Sequence, residues 1–358
     1  MTMKLQGITI AERIEATKGK TSGFDYLRIV LAFLVILSHT FTVSLESEAR
    51  DAFVHSLYYR PFLVVLPMFF ALSGFLVAGS LERCSGFKEF YGLRILRIVP
   101  ALAVETFISA LILGPLLTNL SLATYIEDPL FYHYFFNIVG HIQYALPGVF
   151  SNNPIPNIVN SQLWTIPYEL YCYIAIGIIG ISGLFVRRYT LLGATAFLSG
   201  LILVGIYFGY SSAFGLELVL DFVLGIGIYK FRDILPWNSK VAIALALLIL
   251  VLLQFKGGIH LCIIPLAYLT VYIGLTDPPR NEVMLSGDYS YGIYLYGFVI
   301  QQAVASLGPW AHQWWINGMI SIPCAVACAV LSWWYVEKPA LKLRRYLRPQ
   351  SRPVQCPA

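Results

Sequence analysis

Long apolar runs separated by short polar segments recur along the chain, and they predict a series of hydrophobic helices. A run of about 20 predominantly apolar residues is long enough to cross a bilayer as a helix. Such runs occur at roughly 24–44, 61–81, 98–118, 163–183, 190–210, 213–232, 240–256, 259–276, 288–306 and 315–336. The pattern therefore predicts an all-α, polytopic membrane protein with about ten transmembrane helices.

The composition excludes a soluble globular protein. Of 358 residues, 58% are hydrophobic and only 12% are charged, whereas a soluble domain has about 25% charged residues. No internal repeat and no Pro- or Ser-rich linker divides the chain. We expect an N-terminal cytoplasmic segment at 1–22, a single membrane domain at 23–345 and a cytoplasmic tail at 346–358.

The Lys and Arg residues outside the predicted spans fall into two alternating sets of connections. One set includes both ends of the chain and holds twenty of them, whereas the other holds only Arg50, Arg60 and Lys256. Cytoplasmic loops carry an excess of Lys and Arg, so both termini are predicted to be cytoplasmic and residues 119–160 external. The net charge of +5 reflects this bias and implies no nucleic-acid partner.

The first span, "LRIVLAFLVILSHT", carries two ionisable residues, Arg28 and His39. Eleven residues of helix make three turns plus about 20°, so the two side chains share one face. Arg28 near the cytoplasmic boundary could extend to water and pair with Asp25 one turn earlier. A histidine deeper in the span is harder to explain by packing, because ionisable groups inside membranes are costly and usually line a functional cavity.

Further polar clusters accompany this pair. "LRILRIVP" places Arg94 and Arg97 one turn apart at the predicted mouth of the third span. Paired guanidinium groups suit phosphate, and the pair alone is equally consistent with a positive-inside anchor. "FFALSGF" brings Ser73 and Gly74 into the second span, where small residues also allow close helix packing.

Two more clusters lie at the ends of later spans. "QLWTIPYELYCY" sets Trp164, Glu169 and Tyr173 at the outer end of the fourth span, where Pro167 suggests an interrupted helix facing a cavity. "SGDYSYGIYLYGF" stacks Tyr291 and Tyr294 about one turn apart at the start of the ninth span.

Taken in order, these motifs resemble those of membrane-bound acyltransferase family three. The resemblance rests on Arg-x10-His, Phe-x-x-Ser-Gly-Phe, Arg-x-x-Arg, Trp-Thr-x-x-x-Glu-x-x-x-Tyr, Ser-Tyr-Gly-Ile-Tyr-Leu and the Glu-Lys-Pro at 337–339. It extends from residue 23 to about 345. One departure is that many members have a histidine after Tyr-Leu-Trp in the ninth span, where this chain has Tyr296 and Gly297.

The resemblance implies transfer of an acyl group, most often acetyl, from cytoplasmic acyl-coenzyme A to a hydroxyl of an envelope or lipid-linked glycan, in a bacterial inner membrane. It makes Arg28 and His39 the catalytic pair, Arg94 and Arg97 donor contacts, and Glu169 an additional acid. We add Arg28, Ser73, Tyr291 and Tyr294 as candidate donor contacts, and Trp164 and Tyr173 as candidate acceptor contacts. No metal is expected.

Two mechanisms and one other function remain open at this stage. His39 could act as a general base in direct transfer, or Ser73 or His39 could carry the acyl group; we favour direct transfer. The alternative function is a polytopic transporter of a small anionic or sugar-linked substrate, since intramembrane charge and interrupted helices would serve it too.

The external segment 119–160 contains no Lys or Arg but many aromatic residues. They are Tyr125, Phe131, Tyr132, Tyr134, Phe135, Phe136, Tyr144 and Phe150. We expect these rings to help position a glycan, with an aromatic belt lying on the membrane as the alternative.

Overall fold

Every run predicted to span the membrane is helical over most of its length in the computed structural model, which describes residues 8–84, 86–181, 188–208, 213–282, 284 and 286–347. Those described residues form no β-strand. The helices are α1 (Ile10–Ala16), α2 (Gly23–Ser44), α3 (Ser47–Val54), α4 (Arg60–Leu63), α5 (Val65–Arg83), α6 (Phe87–Ile108), α7 (Gly114–Leu117), α8 (Leu122–Glu127), α9 (Pro129–Tyr134), α10 (Ile166–Ile181), α11 (Arg188–Tyr207), α12 (Ala213–Lys230), α13 (Ser239–Leu252), α14 (Ile263–Gly274), α15 (Ser290–Ala305), α16 (Trp314–Ser332) and α17 (Lys338–Lys342).

Five helical stretches among the described residues are long and apolar enough to cross a membrane. They are Gly23–Ser44, Arg60–Arg83, Phe87–Leu117, Ser161–Gly180 and Trp314–Tyr346. Leu192–Ile202, Ser239–Leu252 and Ile263–Gly274 are shorter apolar helices. The protein is therefore a multi-pass, all-helical membrane protein, and the total of about ten crossings stays a prediction.

Two helix boundaries differ from the predicted ones in ways that affect the site. The third span was predicted to begin at residue 98, but α6 begins at Phe87 and continues through Pro100. Arg94 and Arg97 therefore lie inside α6. Their side chains turn toward neighbouring helices and not toward a polar loop. In the ninth span, α15 begins at Ser290, so Asp288 lies in the connection that precedes the helix.

Small residues let α5 and α12 pack backbone against backbone. A Cβ atom placed on Gly74 would lie 2.0 Å from the carbonyl oxygen of Phe222, and one on Gly225 would lie 2.1 Å from that of Ala71. Any larger residue at these two positions would force the helices apart. Gly74 is thus a packing residue, and Ser73 beside it faces a different neighbour.

Polar side chains fasten α2 to α15 and α16. The Gln301 amide donates hydrogen bonds to the Ile36 carbonyl and the Thr40 hydroxyl, each at 2.7 Å. Asn317 donates to the Gln301 carbonyl at 3.0 Å. Arg28 near the start of α2 contacts Asp288 just before α15, and His39 further along α2 contacts Phe298 further along α15. The two helices therefore run in the same direction, with their starts at one end of the bundle and the His39 region toward the other.

The segment 119–160 folds over the end of the bundle near the C-terminus of α2. Asn153 donates to the side-chain oxygen of Gln302 at 2.9 Å, and Gln302 donates to the carbonyls of Ile155 and Ile158. Its aromatic residues differ in exposure. Tyr125, Phe131, Tyr134 and Phe150 are buried, Phe135 is half-buried, and Tyr132, Phe136 and Tyr144 are exposed.

The N-terminal segment, predicted only as a cytoplasmic extension, contains the short helix α1. The Ile10 amide donates to the Leu235 carbonyl at 2.9 Å, and the Arg13 guanidinium lies 4.4 Å from the centre of the Trp237 ring. Helix α1 therefore docks on the connection between α12 and α13.

Candidate active site

A cavity of about 180 Å³ lies among α2, α5, α6, α10 and α15. Its wall combines apolar side chains with three arginines, one glutamate and several hydroxyl groups. The polar residues lining it are Arg28, Ser73, Arg94, Arg97, Thr165, Glu169, Tyr173, Ser290, Tyr291 and Tyr294. Most of the candidate residues chosen from separate sequence motifs thus meet in one place.

Asp288 joins arginines from two different helices at this cavity. Its Oδ2 lies 2.7 Å from a guanidinium nitrogen of Arg97 and 3.5 Å from one of Arg28. Arg28 also lies 3.5 Å from Asp25, as the spacing predicted. The Ser290 hydroxyl donates to the other Asp288 oxygen at 2.7 Å.

The charges around Asp288 keep it ionised. Burial alone would raise the pKa of Asp288, but the charges of Arg97 and Arg28 and the hydrogen bonds from Ser290 lower this pKa to about 2. The carboxylate is therefore charged at every pH at which the protein would work.

Arg94 and Arg97 look equivalent in the sequence but differ in the structure. Arg97 is paired on both sides, with Asp288 and, at 3.1 Å, with Glu337 at the end of the last apolar helix. Arg94 has no carboxylate within ion-pair distance among the described residues, and its Nε atom is buried without a hydrogen-bond partner. Instead its guanidinium lies near the rings of Phe90 and Tyr173, at 5.3 and 5.6 Å from their centres. Arg94 is thus the arginine whose charge is open to an anion in the cavity.

A chain of hydroxyl and carboxylate groups crosses the cavity wall from α10 to α5. The Tyr173 hydroxyl donates to the Glu169 carboxylate, and the Ser73 hydroxyl lies 3.4 Å from the same Tyr173 oxygen. Since Tyr173 has only one hydroxyl proton, Ser73 is the donor in the second contact. Tyr173 was assigned to the acceptor, but its position places it among the groups that line the arginine-rich cavity.

The two tyrosines of α15 are held by neighbouring helices. Tyr291 donates to the Ile98 carbonyl at 3.1 Å, and its ring lies 5.5 Å from the Arg97 guanidinium. Tyr294 donates to the Gln162 carbonyl, and its oxygen lies 2.6 Å from the Thr165 hydroxyl. These contacts fix the cavity wall just before the start of α10.

Two candidate residues do not line the cavity. Trp164 packs against Tyr168 and Phe214, with ring centres 5.9 and 5.7 Å away. His39 lies further along α2, and its ring contacts Phe298 edge-on at 5.2 Å between ring centres. Phe298 is one turn beyond Tyr294 on α15, so His39 contacts α15 one turn past the last residue of that helix in the cavity wall.

Sequence reasoning gave no role to Asp288 and Glu337, although both lay within motifs that it quoted. A carboxylate directly before or after an apolar run is the only signal for either residue. Their shared partner, Arg97, is 191 residues from Asp288 and 240 residues from Glu337 along the chain.

Apolar helices long enough to cross a membrane, arranged around a cavity lined by three arginines, define an integral membrane protein with a cationic internal cavity. Residues 21–337 match the model of the acyltransferase domain of acyltransferase family 3, so the chain belongs to this family of membrane acyltransferases. It is similar to an O-acetyl transferase of Shigella phage Sf6, with 25% identity over 342 residues, covering 89% of this chain and 96% of the relative. It is also similar to nodulation protein 10 of Rhizobium leguminosarum bv. viciae, with 26% identity over 365 residues, covering 93% and 96% respectively. No solved structure matches the chain.

Proposed function

We propose that this membrane O-acyltransferase moves an acetyl group from acetyl-coenzyme A to a hydroxyl of an envelope or lipid-linked glycan, with His39 as the general base. The observation that carries the proposal is the Arg94 guanidinium without an ion pair, in a cavity that Arg28 and Arg97 also line and whose exposed surface is mostly apolar. Such a cavity suits a donor with an anionic nucleotide at one end and a thin, mostly apolar arm ending in the thioester. The relative from phage Sf6, named an O-acetyl transferase, supports acetyl as the group.

The parallel course of α2 and α15 supports this arrangement of donor and base. Arg28 and His39 lie on one helix about 16 Å apart, at 1.5 Å per residue. A donor whose phosphates contact Arg28 and Arg94 would extend its arm along these two helices, past Tyr294 and toward His39. His39 contacts Phe298, so the thioester would have to reach the vicinity of this ring to meet the base.

The proposed chemical step uses His39 as the base. The neutral His39 imidazole takes the proton of the acceptor hydroxyl as the oxygen attacks the thioester carbonyl carbon. The tetrahedral intermediate then breaks its carbon–sulfur bond, and the leaving thiolate takes the proton back from the imidazolium. The overall exchange consumes thioester and alcohol and yields ester and thiol.

The topology proposed with this function places both termini, and the Arg28 end of the cavity, in the cytoplasm, where acetyl-coenzyme A is made. We keep the domain division at 1–22, 23–345 and 346–358, in a bacterial inner membrane. Helix α1 is packed on the connection between α12 and α13, which the distribution of Lys and Arg assigns to the same side.

The test uses the purified protein in lipid nanodiscs. Acetyl-coenzyme A should bind, and release of the free thiol should rise when glycan from the host envelope is added. Saturable glycan transport that needs no thioester would instead support the transporter, and absence of binding would overturn the proposal.

A further inference from the structure

Among the residues that the structure describes, Asp288 is the carboxylate within ion-pair distance of arginines of both α2 and α6 at the cavity. It contacts Arg97 at 2.7 Å and Arg28 at 3.5 Å, and both arginines line the cavity. Asp288 itself is absent from the cavity wall that holds them, so it stands behind the two guanidinium groups. A group in that place acts on a ligand through the arginines.

Asp288 is itself held in a fixed orientation. Its second oxygen accepts the Ser290 hydroxyl at 2.7 Å, on the first residue of α15. Arg97 is held from the other side by Glu337 at 3.1 Å. An arginine side chain has several rotatable bonds, and fixing it before a ligand arrives lowers the entropy cost of binding.

We propose that Asp288 is a positioning residue for the donor: it holds Arg28 and Arg97 so that their remaining N–H groups face the anionic part of the acyl-coenzyme A. This inference rests on the proposed function. Arg94, which is unpaired, supplies the free charge, while Asp288 gives the other two arginines their geometry.

A simple electrostatic role and a positioning role make opposite predictions. If Asp288 were only a nearby negative charge, Asp288→Asn would remove repulsion and strengthen binding of a polyanionic donor. If Asp288 positions the arginines, the same substitution releases both side chains and weakens donor binding. Misplacement of binding groups by about 1 Å can cost up to a hundredfold, so we expect a rise in the donor KM of roughly tenfold or more.

The pH dependence supplies a second readout. Asp288 has a pKa of about 2, and the groups that face it are Asp25, Arg28, Arg97, Glu337 and Ser290. A carboxylate with a lowered pKa keeps its ion pairs above its ordinary pKa near 3.8 and loses them only as the pH falls below that value. The Asp288→Asn KM should therefore stay above the wild-type KM throughout about pH 5 to 9.

The experiment measures acetyl-coenzyme A binding and thiol release by the full-length protein in nanodiscs for wild type, Asp288→Asn and Asp288→Glu. The matched control is Asp277→Asn, in the same connection, where the carboxylate accepts hydrogen bonds only from Ser22 and lies outside the cavity. We expect wild-type binding in the control, the weakest binding in Asp288→Asn and an intermediate value in Asp288→Glu, which keeps the charge.

Unchanged or tighter donor binding in Asp288→Asn would overturn the inference. If that variant fails to fold, wild-type KM and kcat in Asp288→Glu would overturn it as well, because a longer side chain cannot hold both arginines in the same place. A wild-type protein that binds no acetyl-coenzyme A would refute the proposed function itself, which is a separate result.

Discussion

The ring of His39 meets the ring of Phe298 edge-on, with 5.2 Å between their centres. Phe298 is buried, and it lies one turn past Tyr294, the last residue of α15 in the wall of the arginine-rich cavity. The proposed base therefore contacts α15 one turn beyond the proposed donor site. Substitutions in the cavity should therefore affect donor binding, whereas substitutions at His39 should affect the transfer step.

Arg94→Ala should weaken acetyl-coenzyme A binding without destabilising the protein, because Arg94 has no carboxylate partner to leave behind. A charge-assisted hydrogen bond contributes about 1.5–3 kcal/mol, so the donor Kd should rise roughly ten- to a hundredfold. Arg94→Lys should restore only part of the affinity, because the planar fork of donors is lost. Titration calorimetry measures both. Lys88→Ala, an exposed cation on the same helix, is the control, and equal affinities in all variants would exclude Arg94 as an anion contact.

Arg97→Ala should instead lower the melting temperature in detergent. The substitution leaves the buried Glu337 and the ionised Asp288 without their shared cation, and an uncompensated buried charge is strongly destabilising. A melting temperature equal to that of Arg94→Ala would show that the two arginines are equivalent after all.

Tyr173→Phe removes the hydroxyl of Tyr173 and keeps its ring, so it distinguishes the roles of the two groups. The ring near Arg94 remains and keeps its cation–π contact, so the donor KM should change by less than about threefold. Glu169 and Ser73 lose the oxygen that connects them, so kcat should fall. Steady-state kinetics of thiol release give both values, and Tyr173→Leu should raise KM as well. An unchanged kcat in Tyr173→Phe would remove this hydroxyl chain from the reaction.

The exposed rings of the segment 119–160 are the ones that could contact a glycan. Replacing Tyr132 and Phe136 with Ser should change the choice of acceptor while thiol release from acetyl-coenzyme A persists, because both rings are exposed and far from the arginines in the fold. Tyr134→Ser, which removes a buried ring and its contact with Asn160, should lower the melting temperature instead. Acceptor preference can be compared by competition between two glycans. The same preference in the double variant would favour a belt lying on the membrane.

The proposed topology can be tested at Val139, which is 70% exposed in the external segment. A cysteine placed there should react with a membrane-impermeant maleimide in intact cells, whereas one at exposed Lys88 should react only after permeabilisation. The reverse pattern would invert the orientation.

The sequence predicted the positions of the helices well, because long apolar runs between polar segments are compatible with few structures other than membrane helices. It also predicted that Arg28, Arg94, Arg97 and Glu169 belong together, through the order of the family motifs. It could not predict that Arg97 is neutralised and Arg94 is not, since the difference depends on carboxylates contributed by distant segments. Nor could it predict the start of α6, because the charged residues before position 98 resemble a loop until their partners are known.

A donor held in the arginine-rich cavity should react at His39, and His39→Ala separates binding from transfer when donor binding and acetyl transfer are measured together. We expect wild-type affinity for acetyl-coenzyme A and a fall in transfer of about a hundredfold or more, the usual contribution of a general base. Moving the imidazole with Ser38→His and His39→Ser turns it by about 100° around α2 and should be nearly as damaging. Transfer at the wild-type rate by either folded variant, with labelled acetyl recovered on the glycan, would show that His39 is not the base.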